Sequence, residues 1–222
     1  MNIADILKPI KLLKGSHEDT WKTGSGCLMN VVSYLNGDRE ITDAPACACP
    51  VVMPIAIWLN DYMSDNERQQ LLPYVERISG SRTDDINVMV ARAWAAVRLS
   101  KYAAESAAKY AAEYAAEYVE YAKYAAKYAA KSAKSAKYAE SAEYAEYAKS
   151  AAKYAAKSAK YAEYAKYAAE YAEYSAEYAA LRMELISAAL KCLDEMLPVQ
   201  SRPDDAVIER AHKLVEIANG PI

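Results

Sequence analysis

The fold is decided by residues 101–139, KYAAESAAKYAAEYAAEYVEYAKYAAKYAAKSAKSAKYA, which contain neither glycine nor proline. The same absence extends over the whole stretch between Gly80 and Pro198. Alanine has the highest intrinsic helix propensity, and lysine and glutamate follow it closely. The composition therefore predicts an uninterrupted helix over roughly residues 101–180. If this helix continued through its flanks over residues 84–197, it would be about 170 Å long, given the rise per residue of an α-helix.

Tyrosine or serine recurs through this repeat about every 3.5 residues, which is the spacing of left-handed coiled coils. Alanine nearly always follows each of these residues, and lysine or glutamate nearly always precedes it. On a helical wheel the three positions form adjoining stripes of tyrosine or serine, of alanine and of charge. Such a stripe favours packing against another helix that carries the same stripe. The predicted interface positions are Tyr110, Tyr114, Tyr118, Tyr121, Tyr124, Tyr128, Ser135, Tyr138, Tyr144, Tyr147, Tyr154, Tyr161, Tyr164, Tyr167 and Tyr171.

The charged stripe consists of alternating blocks of glutamate and lysine. When the repeat is folded about Ser135 in the antiparallel sense, six consecutive charged positions oppose a charge of the other sign, as Lys127 opposes Glu143. This symmetry has two physical interpretations. One is an antiparallel homodimer of straight helices with its two-fold axis at Ser135, and the other is a hairpin that turns near residues 131–138. The absence of a helix breaker there favours the homodimer, and a solitary helix held by Glu–Lys pairs is a third alternative.

Composition divides the chain into a helical head domain (1–100), the repeat helix (101–180) and a helical tail (181–222) that returns to a head. The fold class predicted from these segments is all-α. In the head, Ser64 and Glu67 form the sequence pattern of a capping box, and Pro73 interrupts the helix that the box opens. In the tail, Pro203 followed by two aspartates predicts the start of the last helix.

Charge and hydropathy exclude several classes of partner at this level. The net charge of −3 argues against nucleic acid as the main partner, because phosphate binding needs a basic excess. No apolar run is long enough to cross a membrane, and the first residues lack the pattern of a signal peptide. We therefore expect a cytoplasmic protein whose partner is itself, with no cofactor, no nucleic acid and no membrane.

Cys27 is the strongest candidate for chemistry in the head, since it follows Gly24-Ser25-Gly26 at the start of a predicted helix. A helix N-terminus lowers the pKa of a thiol and so activates it as a nucleophile. A nucleophile also needs a base, and His17 and His212 are the two histidines of the chain. The alternative is a buried thiol that packs the helix into the core.

A zinc site is the second candidate, with Cys47, Cys49 and Cys27 as ligands and a histidine or aspartate as the fourth. The C-x-C spacing differs from the paired C-x-x-C of common zinc knuckles, so buried structural thiols are the favoured alternative. The glycine-rich loop before Cys27 could also bind an anion, although no Lys-Ser/Thr pair follows as in a nucleotide-binding loop. The sequence therefore predicts neither a catalytic residue nor a metal site.

Three runs of the head resemble a group of uncharacterised bacterial and phage proteins that also carry long alanine-rich repeats. These runs are GSGCLMNVVSYLNG (24–37), TDAPACACPVVMPIAIWLNDYMSDNERQQLLPYVERISG (42–80) and RAWAAV (92–97). The related repeats often have Trp, Arg or Asp where this chain has Tyr, Lys and Glu. The resemblance covers about residues 20–99 and implies a bacterial or phage origin, but it transfers no activity and no functional residue.

The function that the sequence predicts is structural, with the repeat as a self-association or assembly interface, and not enzymatic. One alternative is an ice- or surface-binding alanine-rich helix. The other is a cysteine- or zinc-dependent activity in the head.

Overall fold

The structure is a computed structural model that describes residues 2–16, 20–114, 119–139, 150, 153–157, 160, 175–197 and 204–220. Within these residues the protein is all-α, as predicted, and the single β-bridge joins Leu12 to Gly26. The chain forms two compact units. The head unit is Met1–Thr83 together with Leu197–Ile222, and the repeat unit is Asp84–Met196.

In chain order the described helices are α1 (Ile3–Ile6), α2 (Thr20–Thr23), α3 (Leu28–Asn36), α4 (Met53–Tyr62), α5 (Asp65–Arg68), a 3-10 turn (Gln69–Leu71), α6 (Leu72–Ile78), α7 (Ile86–Tyr114), α8 (Val119–Ala139), α9 (Ser175–Met196) and α10 (Asp205–Asn219). Residues 153–157 are helical as well.

Local signals in the sequence place several helix ends where they were predicted. The capping box at Ser64 is confirmed, because the Glu67 carboxylate accepts a hydrogen bond from the Ser64 backbone N–H at 2.8 Å. The helix that follows is interrupted before Pro73, which lies in the first turn of α6, where its missing N–H costs no hydrogen bond. Asp204 caps α10 by accepting from the Ala206 backbone N–H at 2.9 Å.

Polar side chains of α4, α5 and the 3-10 turn hold the extended N-terminal segment in the head unit. The Asn60 amide donates to the Leu13 carbonyl at 2.9 Å and accepts from the Leu28 backbone N–H at 3.0 Å. The Gln69 side chain accepts from the Leu12 backbone N–H at 3.2 Å. A segment without secondary structure needs such partners for its buried backbone groups, so these side chains replace the hydrogen bonds that a sheet would have supplied.

The last helix returns to the head of the same chain, whereas residues 181–196 of the predicted tail belong to the repeat unit. Helix α10 packs against α1, α2 and α3. The Arg210 guanidinium donates to the carbonyl oxygen of Leu35 at the end of α3, where a positive charge is favourable. Gly24 lies directly against Ala218 of α10, with no room for a side chain.

Helices α7 and α9 of the repeat unit pack side by side in opposite directions. Arg92, near the start of α7, donates to the Met196 carbonyl at the end of α9 at 2.9 Å. Further along α7, the Tyr102 hydroxyl lies 3.1 Å from the Glu184 carboxylate in the first half of α9. Buried side chains of the two helices include Met89, Ala93, Ala96, Leu99, Leu185, Ala189 and Leu193.

Helices α7 and α8 also pack against each other, and this contact is the most extensive one between helices in the described part of the chain. Only residues 115–118 separate the two helices. Four residues span less than about 20 Å, whereas a parallel return along α7 would need about 43 Å. The helices are therefore antiparallel, and the prediction of one uninterrupted helix over roughly residues 101–180 is wrong. Alanine permits a continuous helix but does not enforce it, and folding back buries the small-residue stripe within the same chain.

The hairpin alternative is also corrected by the structure. Its turn was predicted near residues 131–138, but these residues lie inside α8. The run KSAKSAKY contains only residues that a helix accommodates, so nothing in it ends the helix.

Candidate functional site

The predicted tyrosine stripe is only partly described by the structure. Tyr124 is 43% exposed, Tyr128 and Tyr154 are half-buried, and Ser135 is buried. The side chains of Tyr110, Tyr114, Tyr121 and Tyr138 lie outside the described part, as do the entire residues Tyr118, Tyr144, Tyr147, Tyr161, Tyr164, Tyr167 and Tyr171. The four positions that can be placed show that the stripe is not uniformly covered within the chain.

Two of these tyrosines bring separate parts of the repeat together. The rings of Tyr128 on α8 and Tyr154 stack with their centroids 6.0 Å apart and their planes at 27°. The Lys131 ammonium lies 5.4 Å from the Tyr128 centroid and 5.6 Å from that of Tyr154. The Lys157 ammonium lies 5.5 Å from the centroid of the Tyr128 ring. Each ring therefore has an ammonium group within the range of a cation–π interaction.

This contact has a different centre from the one that the charge blocks predicted. Tyr128 faces Tyr154, so the midpoint of the in-chain pairing lies near residue 141 and not at Ser135. The predicted register set lysine blocks against glutamate blocks, whereas the in-chain register sets two lysine blocks side by side. Aromatic stacking and the burial of Ala155 contribute to this contact.

Small residues make up the buried face of α8. Ser132 and Ala136 are completely buried, and Ser135 is nearly so. Because these side chains are short, the backbone of a neighbouring helix can come close to α8. The serines of the stripe thus lie at the in-chain contact, while Tyr124 of the same stripe remains at the surface.

The Cys27 thiol is buried at the N-terminus of α3, where it acts as a helix cap. Its sulfur accepts a hydrogen bond from the Asn30 backbone N–H at 3.4 Å, and the residue is only 4% exposed. Burial raises the pKa of the Cys27 thiol to about 11, in spite of the helix N-terminus. The thiol is therefore neutral at pH 7, and the interpretation of Cys27 as an activated nucleophile is not supported. Asn60 and Cys27 accept from the first N–H groups of α3, so these donors do not form an anion site.

The cysteines named as zinc candidates are not gathered with other ligands. Cys49 is buried, Cys47 is half-buried, and burial raises the pKa of the Cys47 thiol. In the part of the chain that the structure describes, no group of three or more His, Cys, Asp or Glu side chains could hold a metal ion. His17, one candidate partner, lies outside the described residues.

We expect the thiols to differ in their rates of alkylation by iodoacetamide. Cys27 and Cys192 should react slowly at about pH 8, because their pKa values are raised by burial to about 11 and about 12. Cys47 is more accessible and should react first. The rates at Cys27 and Cys192 should rise about tenfold per pH unit as the thiolate fraction grows. Peptide mass spectrometry measures each site, and the urea-unfolded chain is the control in which all four thiols react alike. A Cys27 that reacts faster than Cys47 at pH 7 would contradict the structural role.

The head unit contains a cavity that the sequence did not predict. It has a volume of about 770 Å³ and is lined by Lys22, Tyr34, Lys213, Glu216, Ile217, Asn219 and Gly220. These residues come from α2, α3 and the C-terminal end of α10, and α10 is far from the other two helices in the chain, so no local motif marks them.

Comparisons with known proteins do not assign this chain to a family. Among the described residues, no helix is both long and apolar enough to cross a membrane. No protein-family model, no curated protein and no solved structure matches the chain.

Proposed function

We propose that the repeat unit is a self-association module, in which repeat segments of two copies pack as repeat segments pack within one chain. The observation that carries this proposal is the stack of Tyr128 on Tyr154, two positions of the same stripe that come from different segments of the repeat. Because the segments share one pattern, a contact between them in one chain can also form between two chains. Exchange of an equivalent element is a low-cost route to a dimer.

The chemistry of the contact supports the same conclusion. Tyrosine buries a large ring while its hydroxyl can remain in water, which is why it is enriched at protein interfaces. Tyr124 is the exposed member of the stripe on α8, and the short side chains of Ser132 and Ala136 set a close approach on the buried face. The repeat therefore has both a surface that already packs on itself and an aromatic position that is partly exposed to solvent.

The test is the oligomeric state of the full chain. Sedimentation at micromolar concentration should show a dimer or larger species, and the melting temperature should rise with protein concentration. The substitutions Tyr124→Lys and Tyr128→Lys should each weaken association by about tenfold or more, because they replace a ring with a charge beside other lysines.

The matched control is Met183→Lys, which adds the same charge at a residue of α9 that is 48% exposed. It should leave association unchanged. A wild-type chain that remains monomeric throughout the micromolar range would refute the proposal, as would equal effects of all three substitutions.

A further inference from the structure

Lysine is concentrated in two runs of the repeat, residues 121–139 and 147–162. Together they contain nine lysines and neither aspartate nor glutamate. The glutamate block between them balances these charges in the overall composition, so the net charge of −3 does not reveal them. A balanced total can therefore hide a strongly basic surface.

The structure brings the two lysine runs into contact. Tyr128 from the first run stacks on Tyr154 from the second, and Lys131 and Lys157 each reach the ring on the opposite run. The side chains of seven lysines of the two runs are described, and all of them are exposed; we call these seven residues the lysine face. Its members are Lys123, Lys127, Lys131, Lys134, Lys153, Lys157 and Lys160.

The electrostatics of the lysine face favour an anionic partner. Among the described residues, no carboxylate lies within ion-pair distance of Lys127, Lys131 or Lys157. Ammonium groups on adjacent segments repel one another, and a bound anion relieves that repulsion. Successive lysines along α8 are three or four residues apart, which places a positive charge about every 5–6 Å of helix length.

Aromatic and small residues lie among these charges. Tyr124 is 43% exposed, with Lys127 over its ring at 5.9 Å. Ala126 and Ala130 are exposed on the same helix and have no bulk to keep a ligand away. An acidic protein surface would need the lysines alone, whereas the exposed ring of Tyr124 beside lysines suits a chain that carries both phosphates and bases.

We propose that the lysine face binds single-stranded nucleic acid, with phosphates on the lysines and a base against Tyr124. A basic surface that follows the backbone, combined with aromatic rings on which bases stack, is the general design of such sites. The expectation of no nucleic-acid partner was drawn from the net charge of the whole chain. Counterion release depends instead on the charges that touch the phosphates. Tyr124 also belongs to the surface of the proposed self-association, so a dimer that covers it would compete with the nucleic acid, and sedimentation of the chain with and without the oligonucleotide distinguishes the two proposals.

The experiment is a titration of a fluorescein-labelled oligothymidine with the full chain, followed by anisotropy at several salt concentrations. At physiological salt the Kd should be about 1–100 μM. If four to seven lysines contact phosphates, the slope of log K against log salt should be about −3 to −5. Absence of binding at about 50 mM salt would overturn the proposal.

Two triple variants locate the site. Lys127→Gln, Lys131→Gln and Lys157→Gln together should reduce the magnitude of the salt slope by about 2. The control triple, Lys8→Gln, Lys11→Gln and Lys191→Gln, removes the same charge from exposed lysines elsewhere and should leave the slope unchanged. Equal effects of the two triples would overturn the proposal, because they would show attraction to the overall charge only. Circular dichroism shows whether each variant keeps its helix content.

Two further experiments distinguish a nucleic-acid partner from an acidic protein partner. Tyr124→Leu should lower affinity for the oligothymidine by about tenfold, since base stacking is lost while every lysine remains. Polyglutamate of similar length should compete weakly. Competition by polyglutamate as strong as that by unlabelled oligothymidine, with no effect of Tyr124→Leu, would overturn the proposal and assign the lysine face to an acidic protein.

Discussion

Replacing Gly24 by alanine is expected to separate α10 from the rest of the head unit and to destabilise that unit by about 2–5 kcal/mol. Gly24 has a φ of 65°, which L-residues with side chains rarely adopt. An added Cβ would also lie 2.5 Å from the Ala218 Cα, and backbone atoms of a packed helix cannot move aside cheaply. Strain and overpacking therefore act together at this position.

Urea unfolding measures the loss, and limited proteolysis reports whether the tail has become accessible. The matched control is Gly80→Ala, because Gly80 has a φ of 77° but nothing within 4 Å of the added Cβ. The control should cost only the backbone strain, about 1–2 kcal/mol. Equal losses for the two variants would show that the contact of Gly24 with α10 contributes nothing to stability.

The second large effect is expected from Arg68→Met, which should lower the free energy of unfolding of the head unit by about 3–5 kcal/mol. Arg68 is only 2% exposed, and its guanidinium donates to the carbonyls of Asn60 at 2.6 Å and Met63 at 2.7 Å. It also reaches the Leu12 carbonyl at 3.4 Å and the Asp65 carboxylate at 2.7 Å. Methionine fills much of the volume but leaves these buried carbonyls without a donor.

Chemical denaturation of a control variant separates the stability contributed by the buried hydrogen bonds of Arg68 from that of its ion pair with Asp65. Asp65→Asn is the control, because the Asp65 side chain is 69% exposed and a surface ion pair contributes at most about 1 kcal/mol. Arg68→Lys should lose most of the stability as well, since a single ammonium group cannot reproduce the planar fork of donors. If Arg68→Met cost no more than Asp65→Asn, the buried hydrogen bonds would not be the source of the stability.

The parts of the head that sequence reasoning predicted are those set by neighbouring residues. The Ser64 and Glu67 capping box and the Asp204 cap each depend on groups within three residues of one another, so the pattern alone predicts the helix start. The polar network around Arg68 joins segments 56 residues apart. A single sequence contains no local sign that Arg68 is buried, and the network could not be predicted.

In the candidate sites, too, the sequence predicted the features that neighbouring residues set and missed those that depend on distant segments. Cys27 was placed correctly at a helix start, but burial raises the pKa of its thiol, and burial depends on the rest of the head. The stripe predicted that repeat segments pack on one another. The partner of each segment and the register of the pair were not contained in the stripe, because every segment carries nearly the same pattern.

The uninterrupted repeat on residues 101–139 determined by itself that this protein is all-α and that its repeat carries stripes of tyrosine or serine, of alanine and of charge. Helix propensity and periodicity are local properties, so the sequence is sufficient for them. Only the tertiary structure decided that α7 and α8 lie antiparallel and that Tyr128 meets Tyr154. Several registers satisfy the same periodic pattern, and packing between distant segments selects one of them. That selection places two lysine runs side by side in a chain whose net charge is negative.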